Sequence, residues 1–330
     1  MPTRPRHQGA PSGAPRRGRR RAGAARPGTV IRAALAAGAL LAAAGCGGGP
    51  APAGSSPTPS GGRSASLTAS SVGTASAVRH TVHGSRSTVQ GDVPAAELRR
   101  YADLADEAVP RVTAVWGTHW DRHLTVEVFG SRAEMERRLH VAAGTYRDLA
   151  AVTVGEAGAV PGIPAGRIVV NPEAMQGLSR TGRLVVLTHE ATHVATRDAT
   201  SADTPTWLSE GYADFIAYRG SGLTTAQITA ELREELRTEP RSRRPAALPA
   251  DGDFAPAAAG APTRLAAAYE LAWTACRLIA RQHGAAALTA FYRRIGAEHM
   301  SPDRAMRAGS GISLAQFTRE WVDSLADLPP

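Results

Sequence analysis

Two histidines four residues apart, His189 and His193, restrict the fold of this chain more than any other feature. Residues at this spacing share one face of an α-helix, with about 6 Å between their Cβ atoms. Both imidazoles can therefore reach one ion at roughly 2.0–2.1 Å. Glu190 is turned by about 100° from the first histidine, so it can face a water molecule at the ion but cannot be a third ligand in the same plane. This is the geometric content of a His-Glu-x-x-His motif.

A second pair of polar residues, Glu210 and Asp214, also lies four apart on a predicted helix. The surrounding residues, such as Trp207, Leu208 and Phe215, are apolar, and unpaired carboxylates would be costly among them. Catalytic zinc takes three protein ligands and keeps one open position. Glu210 is therefore the candidate third ligand of a Zn²⁺ site. Asp214 can accept the second ring N–H of a ligating histidine and so fix its tautomer.

The order of the predicted elements places strands first and helices afterwards. A helical pattern runs from Pro94 to Pro110. Strands are predicted at 123–129, 150–154 and 167–170. Further helices are predicted at about 132–142, 180–196, 206–219, 224–237, 263–282, 285–296 and 312–326. This order predicts an α+β fold: a small mixed sheet in the N-terminal half, a mostly helical C-terminal half, and the metal site between them.

The segments His189-Glu-Ala-Thr-His193 and Trp207-Leu-Ser-Glu210-Gly-Tyr-Ala-Asp214 resemble the motifs of the gluzincin peptidases, the thermolysin-like clan, and especially those of bacterial peptidase MA-like domains. The resemblance covers about residues 95–325 and implies a zincin-like fold. By position it implies that His189, His193 and Glu210 are the zinc ligands and Glu190 the general base. It also implies that Asp214 is the carboxylate that accepts a hydrogen bond from a zinc-ligating histidine.

The chain departs from this family in two places. Sixteen residues separate His193 from Glu210, slightly fewer than in the gluzincin aminopeptidases, and the Gly-Ala-Met-Glu-Asn segment that grips a substrate amino terminus in those enzymes is absent. The missing segment argues against an aminopeptidase and leaves an endopeptidase by default. A metzincin site would need a third histidine, but the chain continues from His193 as Val-Ala-Thr-Arg-Asp.

Two further assignments concern the substrate. The resemblance implies that Tyr269 donates a hydrogen bond to the oxyanion, although a tyrosine that only anchors its helix in the core is an equal alternative. Tyr212 is a weaker candidate for this donor. The strand Arg167–Val170 is predicted to be an edge strand that pairs with an extended peptide, and the alternative is an ordinary core strand.

The basic charge of the chain belongs to its first residues. The formal net charge is +9, but residues 1–45 contain nine arginines and no acidic residue. Without these nine, 29 of the 38 basic residues remain against 29 acidic ones. A neutral body exerts no long-range attraction on phosphates, so nucleic acid is not an expected partner.

Residues 1–45 have the pattern of a lipoprotein signal peptide. An arginine-rich stretch ends at Arg32, twelve apolar residues follow, and Gly45-Cys46 closes the segment. The apolar run is shorter than the about 20 residues of a membrane-spanning helix. We therefore expect lipidation of Cys46, an extracytoplasmic and membrane-anchored protein (alternatively a secreted one), a Ser/Pro/Gly-rich tether over 46–93, and the metallopeptidase domain over 94–330. The remaining Cys276 is expected to be a buried hydrophobic residue.

The sequence thus predicts a monomeric zinc peptidase that acts on peptides or proteins outside the cytoplasmic membrane. One alternative is a degenerate zincin that holds zinc and serves as a binding module. Glu190 disfavours this alternative, because a purely structural site has no need of an acid beside its first ligand. A cell-wall amidase would use the same metal site and stays open as a third interpretation.

Overall fold

A five-stranded mixed sheet forms the first part of the fold in the computed structural model, which describes residues 79–154, 166–240, 242, 244–254 and 262–329. The strands are β1 (His80–His83), β2 (Ser87–Gly91), β3 (Leu124–Val128), β4 (Ala151–Val154) and β5 (Arg167–Val170). Their spatial order is β1-β2-β3-β5-β4. The three central strands are parallel, and both outer strands run antiparallel to their neighbours.

Eleven α-helices lie in the described part of the chain. They are α1 (Ala95–Trp116), α2 (Arg132–Arg138), α3 (Pro172–Gln176), α4 (Arg180–Thr196), α5 (Thr206–Tyr218), α6 (Thr225–Ile228), α7 (Ala230–Thr238), α8 (Pro262–His283), α9 (Ala285–Gly296), α10 (Pro302–Ser310) and α11 (Leu314–Ser324). The predicted α+β architecture, a small mixed sheet followed by a mostly helical half, is confirmed. No described helix combines the length and the apolar character needed to cross a bilayer.

The first two strands correct the expected tether, which was predicted to reach residue 93. Residues 80–91 form β1 and β2, and β2 pairs with β3 inside the sheet. The strand signal of β2 is weak because most of its residues are polar or small. Ser87 and Val89 are buried, whereas Thr88 and Gln90 are only partly covered. Gly91 is required at the end of β2, because a Cβ there would collide with the carbonyl oxygen of Val128.

The position of β5 corrects the predicted edge strand. Arg167–Val170 lies between β3 and β4, so both of its edges are occupied. The chain passes from β4 back toward the centre of the sheet, and β4 becomes the outer strand. Among the described residues, β4 therefore offers the free edge on this side.

Two apolar clusters hold the sheet in place. The larger one includes Val126, Ile168 and Val170 and packs against the helices, whereas the smaller one includes Val152 and Val169 and lies under α2 on the other face. Helix α4 contacts β4 on one side and α1 and α5 on the other. This helix therefore lies at the junction of the sheet and the helical half.

Candidate metal centre

Helix α4 carries both histidines of the motif into the interior. Its first turn is capped by Ser179, whose hydroxyl accepts from the backbone N–H of Gly182. His189 is 2% exposed and His193 is 8% exposed, and their ring centroids are 4.7 Å apart. Their Nε2 atoms face each other at 3.0 Å. The four-residue spacing thus directs both imidazoles to one point.

Helix α5 brings Glu210 to the same point. Its Oε2 atom lies 3.2 Å from Nε2 of His189 and 3.4 Å from Nε2 of His193. The three ligand atoms lie within 4.8 Å of one another. Gly211 allows α5 to lie close against α8, because a Cβ there would collide with the carbonyl oxygen of Ala272 on α8. The first backbone N–H of α5, that of Thr206, is capped by the carboxylate of Asp251 at 2.9 Å.

The chemistry of this group of atoms fits a divalent cation. Nδ1 of His189 lies 2.7 Å from Oδ1 of Asp214, so this nitrogen donates, and in the neutral ring the lone pair is on Nε2. That lone pair meets the facing nitrogen of His193 and the carboxylate of Glu210. Such a group needs either extra protons or a cation to be stable. Two imidazoles and one carboxylate are the ligand set of many catalytic zinc sites.

The electrostatics of the group point the same way. Burial alone would lower the pKa of His189, but the carboxylates of Asp214 and Glu210 outweigh it and hold this pKa well above its usual value. Burial would raise the pKa of Glu210, yet His193 and His189 lower it to about 2. Glu210 is therefore negatively charged at neutral pH and attracts positive charge to the site.

Glu190 lies beside the group without joining it. The residue is fully buried, and its Oε2 atom accepts a hydrogen bond of 2.6 Å from the hydroxyl of Thr153 on β4. Its Oε1 atom is buried and has no hydrogen-bond partner among the described residues. Burial raises the pKa of Glu190, and the two histidines offset this only in part. A carboxylate of raised pKa is a better proton acceptor near neutral pH.

Asp214 lies one turn after Glu210 on α5 and behind the first histidine. It is 2% exposed, and burial raises its pKa despite the opposing effect of His189. Its Oδ1 atom is hydrogen-bonded to His189. Its Oδ2 atom is buried and has no partner in the described residues. The geometry suits a carboxylate that orients a ligand.

Tyr269 of α8 lies against the group from the helical half. Its ring centroid is 6.2 Å from that of His189, and Phe254 packs on it edge to face at 5.2 Å. Burial and the carboxylate of Glu210, which shares a hydrogen bond with it, raise the pKa of Tyr269 well above its usual value. The hydroxyl thus stays protonated as a donor. Tyr212 is turned away and pairs with Thr289 at 2.7 Å.

Sequence reasoning missed Thr153, which contacts Glu190 from 37 positions earlier in the chain. Nothing local distinguishes it from any other strand threonine. None of the other histidines in the described ranges joins the group, and these ranges contain no second cluster of three ligands that could hold a metal ion. Cys276 is buried with a free thiol, as expected. Cys46 and the signal pattern lie outside the described residues.

Comparisons with known proteins give similarity at the level of structure alone. No family model matches the chain, and no curated protein matches it. A two-domain M1 zinc metallopeptidase mutant bound to L-arginine is 16% identical, with 74% of this chain and 51% of that chain covered and a TM-score of 0.41. An M1 zinc metallopeptidase mutant from Deinococcus radiodurans is 18% identical, with 77% and 53% covered and a TM-score of 0.41. The present chain spans about half the length of these two proteins.

Proposed function

We propose that this chain is a zinc-dependent peptidase that hydrolyses peptide bonds outside the cytoplasmic membrane. The observation that carries the proposal is the convergence of His189, His193 and Glu210 within 4.8 Å beside the unpartnered oxygen of Glu190. The three residues would hold Zn²⁺, and Asp214 would orient His189. A zinc ion in such a site lowers the pKa of water from 15.7 to about 7 and polarises a carbonyl group.

Glu190 acts as the general base and then as the general acid. Its Oε1 atom takes one proton from the attacking water while the water oxygen forms a bond to the scissile carbonyl carbon. The same carboxyl group then delivers this proton to the nitrogen of the leaving amine as the C–N bond breaks. The buried surroundings of Glu190, with 0% exposure, favour this exchange because they destabilise its charged form.

Tyr269 donates a hydrogen bond where negative charge develops on the carbonyl oxygen. Three features support this role: the residue lies close to His189, its hydroxyl stays protonated, and it already interacts with Glu210. A preformed donor of this kind stabilises the transition state more than the ground state.

The peptide binds in an extended conformation along the free edge of β4. The carbonyl oxygens of Ala150 and Val154 accept hydrogen bonds from Asn171 and Gly166 on the β5 side. Backbone groups alternate in direction along a strand, so those of Thr153 point away from β5. An extended peptide can pair with these groups. This replaces β5, which has no free edge, as the strand that receives the substrate.

Catalysis is favoured over a purely structural zinc site by the state of Glu190. A structural site is closed by four ligands and gives no reason to bury an acid with an unsatisfied oxygen beside them. The location outside the membrane and the anchor at Cys46 are proposed from the sequence pattern of the leader, and a monomer is proposed with them.

The test is metal analysis combined with proteolysis by the full-length chain. We expect about one zinc per chain, cleavage of unstructured casein, and loss of cleavage with a chelator. Glu190→Gln should keep the metal and lose turnover, whereas the exposed Glu298→Gln should behave as the unaltered protein. Full turnover by Glu190→Gln would contradict the proposal. Hydrolysis of a cell-wall muropeptide without cleavage of casein would identify an amidase instead.

A further inference from the structure

Thr153 connects the free edge of the sheet to the general base. It lies in β4 and is 7% exposed, with its side chain turned toward α4. Its hydroxyl donates to Oε2 of Glu190 at 2.6 Å and lies 3.3 Å from the backbone carbonyl of the same residue. The shorter contact has the length of a hydrogen bond to a charged carboxylate.

This bond assigns different tasks to the two oxygens of Glu190. Oε2 is held by Thr153, and Oε1 has no partner among the described residues. Oε1 is therefore the oxygen that can accept a proton without a competing hydrogen bond. A threonine is stiff about its first side-chain torsion because Cβ is branched. The strand consequently holds the carboxylate in one orientation, and no rotation is needed when the proton is transferred.

The backbone of the same residue faces the substrate side. The alternation along β4 turns the N–H and C=O of Thr153 toward the free edge, as the bonds of Ala150 and Val154 to the β5 side require. A peptide that pairs with this edge would thus contact the backbone of Thr153 while its side chain holds Glu190. Thr153 would therefore both contact the bound peptide and align the general base Glu190.

We propose that Thr153 is a positioning residue: its side chain holds Glu190 for proton transfer, and its backbone sets the register of the bound peptide relative to Glu190. The inference rests on the proposed function, since it assigns a task within the same site. It requires that loss of the hydroxyl slows the chemical step and leaves metal binding and substrate binding intact. A threonine that only stabilises the strand would instead change stability without changing kcat selectively.

The test compares Thr153→Val with Thr153→Ser in the full-length chain. Valine keeps the shape and the strand preference of threonine but has no donor, whereas serine keeps the donor. Thr125→Val on β3, which β5 separates from β4, is the control, because no hydrogen bond of the Thr125 side chain occurs among the described contacts. We expect Thr153→Val to lower kcat by about tenfold to a hundredfold. Its KM should stay within about twofold of the unaltered value.

Thr153→Ser should recover most of the lost kcat, and all three variants should bind zinc as the unaltered protein does. A crystal structure of each metal-free variant provides a readout independent of turnover. Glu190 should remain bonded to residue 153 in the serine variant and rotate or split into two conformers in the valine variant. Unchanged kcat in Thr153→Val, or an equal loss in Thr153→Ser, would overturn the inference.

Failure of the proposed function is distinguishable in the same series. If the unaltered, zinc-loaded chain cleaves no peptide, the proposed function fails and this inference fails with it. If the unaltered chain cleaves, Glu190→Gln is inactive and Thr153→Val keeps full kcat, only the role of Thr153 is contradicted.

Discussion

Oδ1 of Asp214 lies 2.7 Å from Nδ1 of His189, on the other side of the ring from the nitrogen that faces Glu210. When a cation is bound, this contact keeps the remaining ring proton on Nδ1, so that Nε2 is the atom directed at the proposed ion. The two residues belong to α5 and α4, so the contact also joins the helices that carry the ligands.

Asp214→Asn should weaken zinc binding by about tenfold to a hundredfold, because the amide loses the negative charge that strengthens the histidine as a ligand. Competition with a chromogenic chelator measures this affinity. Asp198→Asn is the control, since its carboxylate is 94% exposed. Equal zinc affinity in Asp214→Asn and the unaltered chain would show that the contact does not tune the ligand.

Tyr269→Phe should lower kcat by about a hundredfold to a thousandfold, the cost of removing one oxyanion donor. Zinc content should be unchanged, because the hydroxyl is not a ligand. Tyr212→Phe is the matched control: this tyrosine is equally buried, but its hydroxyl is bonded to Thr289. Steady-state kinetics on a fluorogenic peptide measures kcat for both variants. A kcat of Tyr269→Phe equal to that of the control would show that Tyr269 only anchors its helix in the core.

Gly211→Ala should lower the free energy of unfolding by about 1–3 kcal/mol, because the added Cβ meets the backbone of Ala272 in a packed interior. The shift of α5 should also reduce zinc affinity, since Glu210 precedes the glycine. Urea unfolding with and without zinc gives both values. Gly252→Ala, where a Cβ meets no atom within 4 Å, should be close to neutral. A stable Gly211→Ala protein would contradict the close packing of α5 and α8.

Glu270 should make the stability of the metal-free protein depend on pH. Burial raises its pKa from 4.5 to about 8, although the backbone N–H groups of Leu232 and Glu231 at the start of α7 oppose this. Between these values the folded state binds a proton that the unfolded state releases. Stability should therefore fall with rising pH across this window, by about 1 kcal/mol per pH unit. The contribution is complete below 4.5 and lost above about 8.

Glu270→Gln should flatten this dependence, because glutamine keeps one acceptor for α7 and does not titrate. Urea unfolding at pH 5.5 and 8.5 compares the variant with the unaltered chain and with the exposed Glu298→Gln. An equally steep fall in all three proteins would assign the pH dependence to other groups.

Several elements could be predicted because their signals are local. Helix α4 was predicted over about 180–196, which is its observed extent. The run Arg167–Val170 was likewise predicted as a strand with its observed bounds. In both cases the evidence lies within the element itself, and tertiary packing does not alter it.

Other elements depend on packing that no local pattern reveals. Helix α1 was predicted to end at Pro110 but continues to Trp116. The side chains of Val112 and Trp116, beyond the proline, are buried in the core together with the earlier apolar residues of the helix. The predicted helix over 224–237 is interrupted at Thr229, where α7 begins under the carboxylate of Glu270. Helix α10 was not predicted, since only Ala305 and Met306 of its nine residues are buried.

The same distinction applies to the site. The spacing within each motif indicated which side chains share a helix face, and the apolar surroundings of Glu210 and Asp214 indicated that both need partners. The order of strands in the sheet could not be derived this way, so the edge strand was assigned to β5 instead of β4. Thr153 escaped notice because its contact with Glu190 depends on that order.

The location of zinc in a crystal of the full-length chain tests the central claim most directly. Anomalous scattering at the zinc edge should give a single strong peak among Nε2 of His189, Nε2 of His193 and a carboxylate oxygen of Glu210, at about 2.0–2.2 Å from each. Glu190 should lie next to this peak without coordinating it. A peak at another position, or no peak with the three side chains bonded to one another in the presence of zinc, would contradict the account.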